Sequence, residues 1–424
     1  MSLAERSVAT PDIGALIERL DKVFHDGQEY TKFLGCRGAS AQKLLDSLQD
    51  LLDYDSTLIP INKRRFNKAL ISLSEESGLL PRCLTISGLK QGKLVAGGAF
   101  ADVYKGSLDG LSIAVKMMRV FEDSDIATLL KQFGREALIW RQLCHPNLLP
   151  FIGLYYFQKR MCLVSPWMDN GHIVAFLKKE VRDTDHLLSI ILDVALGLKD
   201  LHDKGIVHGD LTGTNILVTP SHTACIADFG LSSIKTAISS VQLRNSSKRP
   251  HGTIRYQAPE LFQGKHNDLC SDIYAFGCVV FEMMTEEPPF PELGDGAVIN
   301  AVLEGRRPSR PTLCSGTPSL DSLWNLLQNC WEELPEMRPT AAQIVERLMG
   351  PDIQAMQTES NVDWAHPFTP RLRHQVLGGR ALPSVLEVEG MIFGDSEFQL
   401  SLHRIFDANC QCEAALREGV VYTV

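Results

Sequence analysis

The sequence predicts an α+β protein in which an antiparallel β-meander is set between two helical regions. Residues 1–90 carry apolar stripes at helical spacing, and from residue 92 the pattern changes to short, alternating, β-branched segments. Beyond residue 168 helical patterns return, and Ile273 to Met284 is apolar almost all the way round, as expected of a helix buried at a domain centre.

In the first region Ile13, Leu16, Ile17, Leu20, Val23 and Phe24 share one helical face, as do Leu44, Leu45, Leu48, Leu51 and Leu52, and then Phe66, Ala69, Leu70 and Leu73. Stripes of this kind bury one another, so residues 1–90 are expected to form a small helical module. The rival reading makes one stripe a surface for a protein partner. In the meander, Leu94-Val95, Val103-Tyr104 and Ile113-Ala114-Val115 are the strand segments, and Asp109-Gly110 between the last two is a hairpin-turn signal. Leu130, Phe133, Ala137 and Trp140 then mark one face of a helix that also carries Glu136. After Gly350-Pro351 the pattern loosens around Pro351, Pro367, Pro370 and Pro383, so residues 351–424 are expected to be a partly disordered tail. Within it Val385 to Val388 and Phe398 to Phe406 suggest short elements docked on a neighbour, with a period that leaves strand and helix open.

A chain of 424 residues with 44 % hydrophobic and 22 % charged residues has room for more than one compact unit. A net charge of −9 argues against nucleic-acid binding, which favours a basic stripe. No run of about 18 apolar residues occurs and the start lacks a secretory pattern, so no membrane insertion and a cytoplasmic location are expected. The 11 cysteines form no framework. Cys410 and Cys412, with His403 as the sole nearby ligand type, are expected to be reduced thiols rather than a metal site.

The chemistry lies in an ordered polar set: Lys116 after Ile113-Ala114-Val115, Glu136, Asp210 and Asn215 in His208-Gly209-Asp210-Leu211-Thr212-Gly213-Thr214-Asn215, and Asp228 in Asp228-Phe229-Gly230. Together they supply a cation for phosphates, a carboxylate to anchor it, a carboxylate for an acceptor hydroxyl and two oxygen ligands for Mg²⁺, which is what phosphoryl transfer from ATP requires.

With these motifs the region 91–350 resembles the eukaryotic protein kinase domain, and in texture the tyrosine-kinase-like serine/threonine group, particularly the kinases of mushroom-forming fungi with a His-Gly-Asp loop. The resemblance implies a two-lobed fold, ATP and Mg²⁺ as cofactors, and protein substrates phosphorylated on serine or threonine. It implies Asp210 as catalytic base, Lys116 and Glu136 as the phosphate-holding pair, and Asn215 and Asp228 as metal ligands. Ala96, Gly98, Val103, Ala114, Lys116, Met168 and Leu217 would line the nucleotide site, with Ser165 as gatekeeper. His208 and Phe229 would belong to a packed spine, Asp272 would hold the catalytic loop, and Glu260 would pair with Arg338. The sequence departs from the family pattern at Ala96 and Ala101 in the glycine loop, at Gly209 where many kinases carry arginine, and at Thr212 where a lysine is usual. These departures sustain a second expectation, a pseudokinase acting as a nucleotide-binding or scaffolding module. The hydroxyl-rich stretch Ser232, Ser233, Thr236, Ser239, Ser240, Ser246 and Ser247 is the candidate for regulation by phosphorylation.

Overall fold

The computed structural model describes residues 13–53, 60–90, 92–97, 101–119, 126–157, 160–179, 183–229, 233–234, 253–311, 317–356 and 382–394. The chain divides into two compact units, Met1–Leu84 with Arg373–Val424, and Thr85–Leu372. Among the described residues no helix is long and apolar enough to cross a membrane.

The first unit is built from α1 (Ile13–His25), α2 (Gly27–Leu34), α3 (Gly38–Asp53) and α4 (Pro60–Ser77), joined by a helix over residues 385–394, α13. The stripes read from the sequence fall on α1, α3 and α4, and Leu16, Leu20, Leu44, Leu48, Phe66 and Leu70 are buried. Helix α2 was not legible as a stripe because it is short. Its start is set by Asp26, whose carboxylate accepts the Gln28 and Glu29 N–H groups at 2.8 and 2.9 Å. Phe24 sits at the centre of an aromatic cluster, with Phe66, Phe33 and Tyr30 rings at 5.1, 5.2 and 6.1 Å. Residues 385–394 resolve the strand-or-helix ambiguity in favour of a helix. Ser384 and Glu387 form its capping box, with Glu387 accepting the Ser384 N–H and Ser384 Oγ accepting the Glu387 N–H. The segment Phe398 to Phe406 and the Cys410/Cys412 pair lie outside the described residues.

The second unit opens with a sheet in the order β1-β2-β3-β5-β4, from β1 (Leu94–Gly97), β2 (Ala101–Leu108), β3 (Leu111–Met118), β4 (Gly153–Phe157) and β5 (Arg160–Pro166), all antiparallel. The β2–β3 turn holds Asp109 and Gly110 at φ 48° and 85°, the left-handed pair a two-residue hairpin needs. Helix α5 (Ile126–Arg141) interrupts the sheet order and buries Phe133, Ala137 and Trp140. Leu130, expected on that face, is instead 38 % exposed. Three apolar neighbours at 133, 137 and 140 already complete the contact, and Leu130 lies a turn before it.

The helical part comprises α6 (Ile173–Leu177), α7 (Thr184–Asp203), α8 (Pro259–Phe262), α9 (Leu269–Thr285), α10 (Asp295–Leu303), α11 (Pro318–Cys330) and α12 (Ala341–Met349), with two small antiparallel pairs, β6 (Ile206–Val207) with β9 (Ser233–Ile234) and β7 (Ile216–Val218) with β8 (Ala224–Ile226). Helix α9 is buried from Ser271 to Met284, matching the all-round apolar run. Its first turn is closed by a reciprocal Asp268 and Ser271 capping box. Arg338 and Glu260 form a bidentate pair at 2.7 and 2.8 Å, and Arg338 also donates to the Cys270 and Glu332 carbonyls.

Candidate active site

Strand β3 has two faces because successive side chains point oppositely. Ile113, Val115 and Met117 are buried against Leu89, Cys162 and Val164, so Ala114 and Lys116 face the other way. In register, Ala114 lies opposite Ser165 and Lys116 opposite both Val103 and Leu163. Val103, Ala114 and Lys116, expected from the sequence to line a nucleotide site, are thereby neighbours on one surface of the sheet. Ala96 pairs with Val103 at the end of β1, past a register irregularity. Gly98 lies outside the described residues.

Lys116 is drawn to two carboxylates. Its Nζ donates to Glu136 Oε1 on α5 at 3.0 Å and to Asp228 Oδ1 at 2.7 Å. Burial works against the ammonium, but the charges of Glu136 and Asp228 outweigh it and hold the Lys116 pKa above the ordinary lysine range. Glu136 is buried, and desolvation pushes its carboxyl up against the pull of Lys116. Asp228 sits at φ 62°, a left-handed backbone rare outside glycine and asparagine. The next residue explains how this is held: Phe229 is fully buried, with the Trp140 and His208 rings at 5.6 and 5.7 Å. Packing of Phe229 between α5 and the loop before β7 fixes both Glu136 and Asp228 against Lys116.

The loop carrying Asp210 is tied down from α9. Asp272 accepts the His208 N–H at 2.8 Å, the Gly209 N–H at 2.9 Å and approaches His202 Nε2 at 3.0 Å. His208 Nδ1 accepts the Asp210 N–H at 3.2 Å. Asn215 Nδ2 donates to the Asp210 carbonyl at 2.8 Å and approaches its Oδ2 at 3.4 Å, which turns the Asn215 amide oxygen away from Asp210. Gly209 adopts φ 81° and its carbonyl accepts from Asn267 Nδ2 at 3.0 Å. Beside Gly209 there is a cavity of about 20 Å³, lined by Gly209, Asp210, Tyr256, Asn267 and Ser271 among others. Thr212 is buried and its hydroxyl meets that of Thr214 at 3.0 Å, so this pair supplies no cation.

At the far end of the sheet β5 runs into Trp167, Met168 and Asp169. Trp167 N–H donates to Ser112 O at 3.0 Å, and the Met168 carbonyl accepts from Gly171 at 3.1 Å. Leu217 on β7 forms an isolated antiparallel bridge with His172, four residues after Met168. Lys105 on β2 reaches Asp169 at 2.7 Å and stands 5.0 Å from the Trp167 ring centroid. That cluster, the Asn267 bond to Gly209, and the Arg119–Asp102 pair at 2.9 Å were not found by sequence reasoning. Each joins residues far apart in the chain, and no local spacing signals them.

The donor set suits a hard cation shared with phosphates: an amide oxygen on Asn215 and the carboxylate of Asp228, whose side chain is 45 % exposed. Among the described residues no group of three or more His, Cys, Asp or Glu could form an all-protein metal cage. Magnesium bound through substrate phosphates needs none. Of the hydroxyl-rich stretch, Ser232 and the residues from Thr236 to Ser247 lie outside the described residues.

A family model described as protein tyrosine and serine/threonine kinase matches residues 89–348. The chain is 31 % identical over 285 residues to serine/threonine-protein kinase STY17 of Arabidopsis thaliana, covering 64 % of this chain and 48 % of that one. It is 31 % identical over 266 residues to serine/threonine/tyrosine-protein kinase HT1 of Arabidopsis thaliana, covering 61 % and 65 %. It is 30 % identical over 262 residues to dual specificity protein kinase shkC of Dictyostelium discoideum, covering 60 % and 50 %. The chain thus spans between about half and 65 % of the length of these relatives.

Proposed function

The chain belongs to the protein tyrosine and serine/threonine kinase family, and on that footing we propose that it transfers the γ-phosphate of ATP to serine or threonine hydroxyls on proteins. The observation that supports this best is Lys116, held at once by Glu136 from α5 and Asp228 from the loop, beside the Asp210–Asn215 pair. A cation preorganised in this way meets the α- and β-phosphates without reorganising. Asn215 and Asp228 would hold Mg²⁺, which when bound neutralises charge on the phosphates. Asp210 takes the proton of the acceptor hydroxyl at its carboxylate. The hydroxyl oxygen attacks the γ-phosphorus, the bond to the β–γ bridging oxygen breaks, and ADP leaves. Asp272 keeps the Asp210 backbone in place throughout, acting on the loop rather than on the substrate.

Serine and threonine as acceptors agree with the name of STY17, while shkC is named for dual specificity. Thr212, buried and turned to Thr214, favours a second reading in which the site binds nucleotide and turns over slowly or not at all. One experiment separates the two. The purified chain is given Mg²⁺-ATP and a generic protein acceptor, with phosphoamino-acid analysis of the product. Asp210→Asn is expected to lower turnover by about 10²–10⁴-fold, the usual contribution of a positioned base. An Asp210-independent rate refutes the kinase reading, and nucleotide binding without turnover in the wild type establishes the second.

A further inference from the structure

Helix α13, residues 385–394, is seated on the first unit in a way that differs from α1, α3 and α4. It is short and includes Gly390 in its interior. A helix this short with an internal glycine is marginal in water by itself. Its order comes from the surface it covers. Val388, Glu389 and Ile392 are buried there, while Leu386 in the first turn is exposed. Arg19 on α1 anchors the contact, donating from Nε to Glu389 Oε1 at 2.8 Å while its Nη1 donates to Glu29 Oε2 on α2 at 2.7 Å. One turn further on, the Phe393 ring meets two cations, with Arg19 Cζ at 5.4 Å and Lys32 Nζ at 5.3 Å from its centroid. Cys36, just past α2, donates from Sγ to the Met391 carbonyl at 3.3 Å.

We propose that the α1–α2 face, marked by Arg19, Lys32 and Cys36, is an exchangeable docking site for a short amphipathic helix that carries a carboxylate and an aromatic ring four residues apart. Residues 385–394 fill it in cis, and a partner protein's helix of the same pattern takes their place. Charge complementarity selects the occupant: the face offers Arg19 and Lys32, and α13 presents Glu389 and Phe393 to them. The tethered segment competes at an effective concentration in the millimolar range, so only a partner that binds well in its own right displaces it.

The test uses the full chain and a fluorescein-labelled peptide of residues 382–394. Val388→Asp releases α13 by placing a charge where the helix buries an apolar side chain. Fluorescence anisotropy should show the peptide binding the Val388→Asp chain at least about tenfold more tightly than the wild type, whose site is filled in cis. Adding Arg19→Ala to the released chain should weaken binding by about tenfold, the loss expected of a charge-assisted partner. Equal binding to wild type and released chain, or none to the released chain at millimolar peptide, overturns the proposal. A wild-type dimer that Val388→Asp dissolves also overturns it, by assigning the face to a second copy's helix. Should Val388→Asp reduce far-UV helicity beyond α13 itself, hydrogen exchange on the unmodified chain decides. Amides of 388–394 are expected to exchange at least about 100-fold faster than those of α1, as a locally opening element does. Equal protection makes α13 part of the cooperative core and ends the idea of an exchangeable ligand.

Discussion

Two cation–carboxylate clusters in the second unit use the same chemistry to opposite ends. Arg338 is fully buried and every bond it makes is to a fixed partner: both oxygens of Glu260 and the carbonyls of Cys270 and Glu332. Lys116 is 23 % exposed and shared between a buried carboxylate and one that is 45 % exposed. The first cluster is saturated, so it can only hold α8, α9 and the loop before α12 together. The second is anionic in excess and open on one side, as the proposed binding of a cation together with phosphates requires. Saturation, rather than burial or charge alone, separates a structural ion pair from a reactive one.

The largest expected effect breaks the open cluster. Lys116→Met should lower turnover by about 10²–10³-fold through loss of a preorganised charge. It should also abolish the rise in Tm on adding Mg²⁺-ATP, since a ligand that no longer binds no longer stabilises. Its cost to the ligand-free fold should be small, because burial already pushes the Glu136 carboxyl up and the group can take a proton instead of standing as an unpaired charge. Steady-state kinetics and a thermal scan of the same sample check both halves.

The saturated cluster should fail the other way. Arg338→Met leaves buried Glu260 and two carbonyls without their donor, a loss of about 3–5 kcal/mol of stability. Calorimetry or urea unfolding would read this. A ligand-free stability loss for Lys116→Met equal to that for Arg338→Met would dissolve the distinction drawn between the two clusters.

A third buried carboxylate sharpens the comparison because neutral groups hold it. Asp193 on α7 accepts the Ala224 N–H at 3.0 Å and a bond from Asn147, and burial pushes its carboxyl up to about 7. The folded state therefore keeps a proton that the unfolded state releases near its ordinary value of 3.8. Stability from this group is full below about pH 4, declines as pH rises towards 7, and is level above. Asp193→Asn should flatten that part of the stability profile, by roughly 2–4 kcal/mol between pH 4 and pH 8 relative to wild type. A parallel pair of profiles would show that Asp193 ionises without penalty.

The smallest effect concerns Gly209. No arginine stands there to receive a phosphate, and the loop is instead held by Asp272 and Asn267. Replacing Ser232, Ser233, Thr236, Ser239, Ser240, Ser246 and Ser247 together by alanine should change turnover by less than about tenfold, under about 1.4 kcal/mol. A hundredfold loss restored by acidic replacements would mean that another cation does the work of the missing arginine.

Much of the second unit was legible in the sequence because its signals are local. The Asp109-Gly110 turn, the alternation in β3 and the all-round apolar run of α9 each follow from a period of two or of 3.6, which the chain writes into neighbouring residues. The ordered set Lys116, Glu136, Asp210, Asn215 and Asp228 could be read as chemistry before any contact was known. What the sequence could not state is which distant groups meet. That Lys116 has two carboxylates rather than one, that Asn267 holds Gly209, that Lys105 reaches Asp169, and that α13 lies on α1 and α2 are decided by packing. The reason is physical: periodicity fixes which face of an element is apolar, but the pairing of faces depends on shape and charge complementarity summed over residues that the chain keeps far apart.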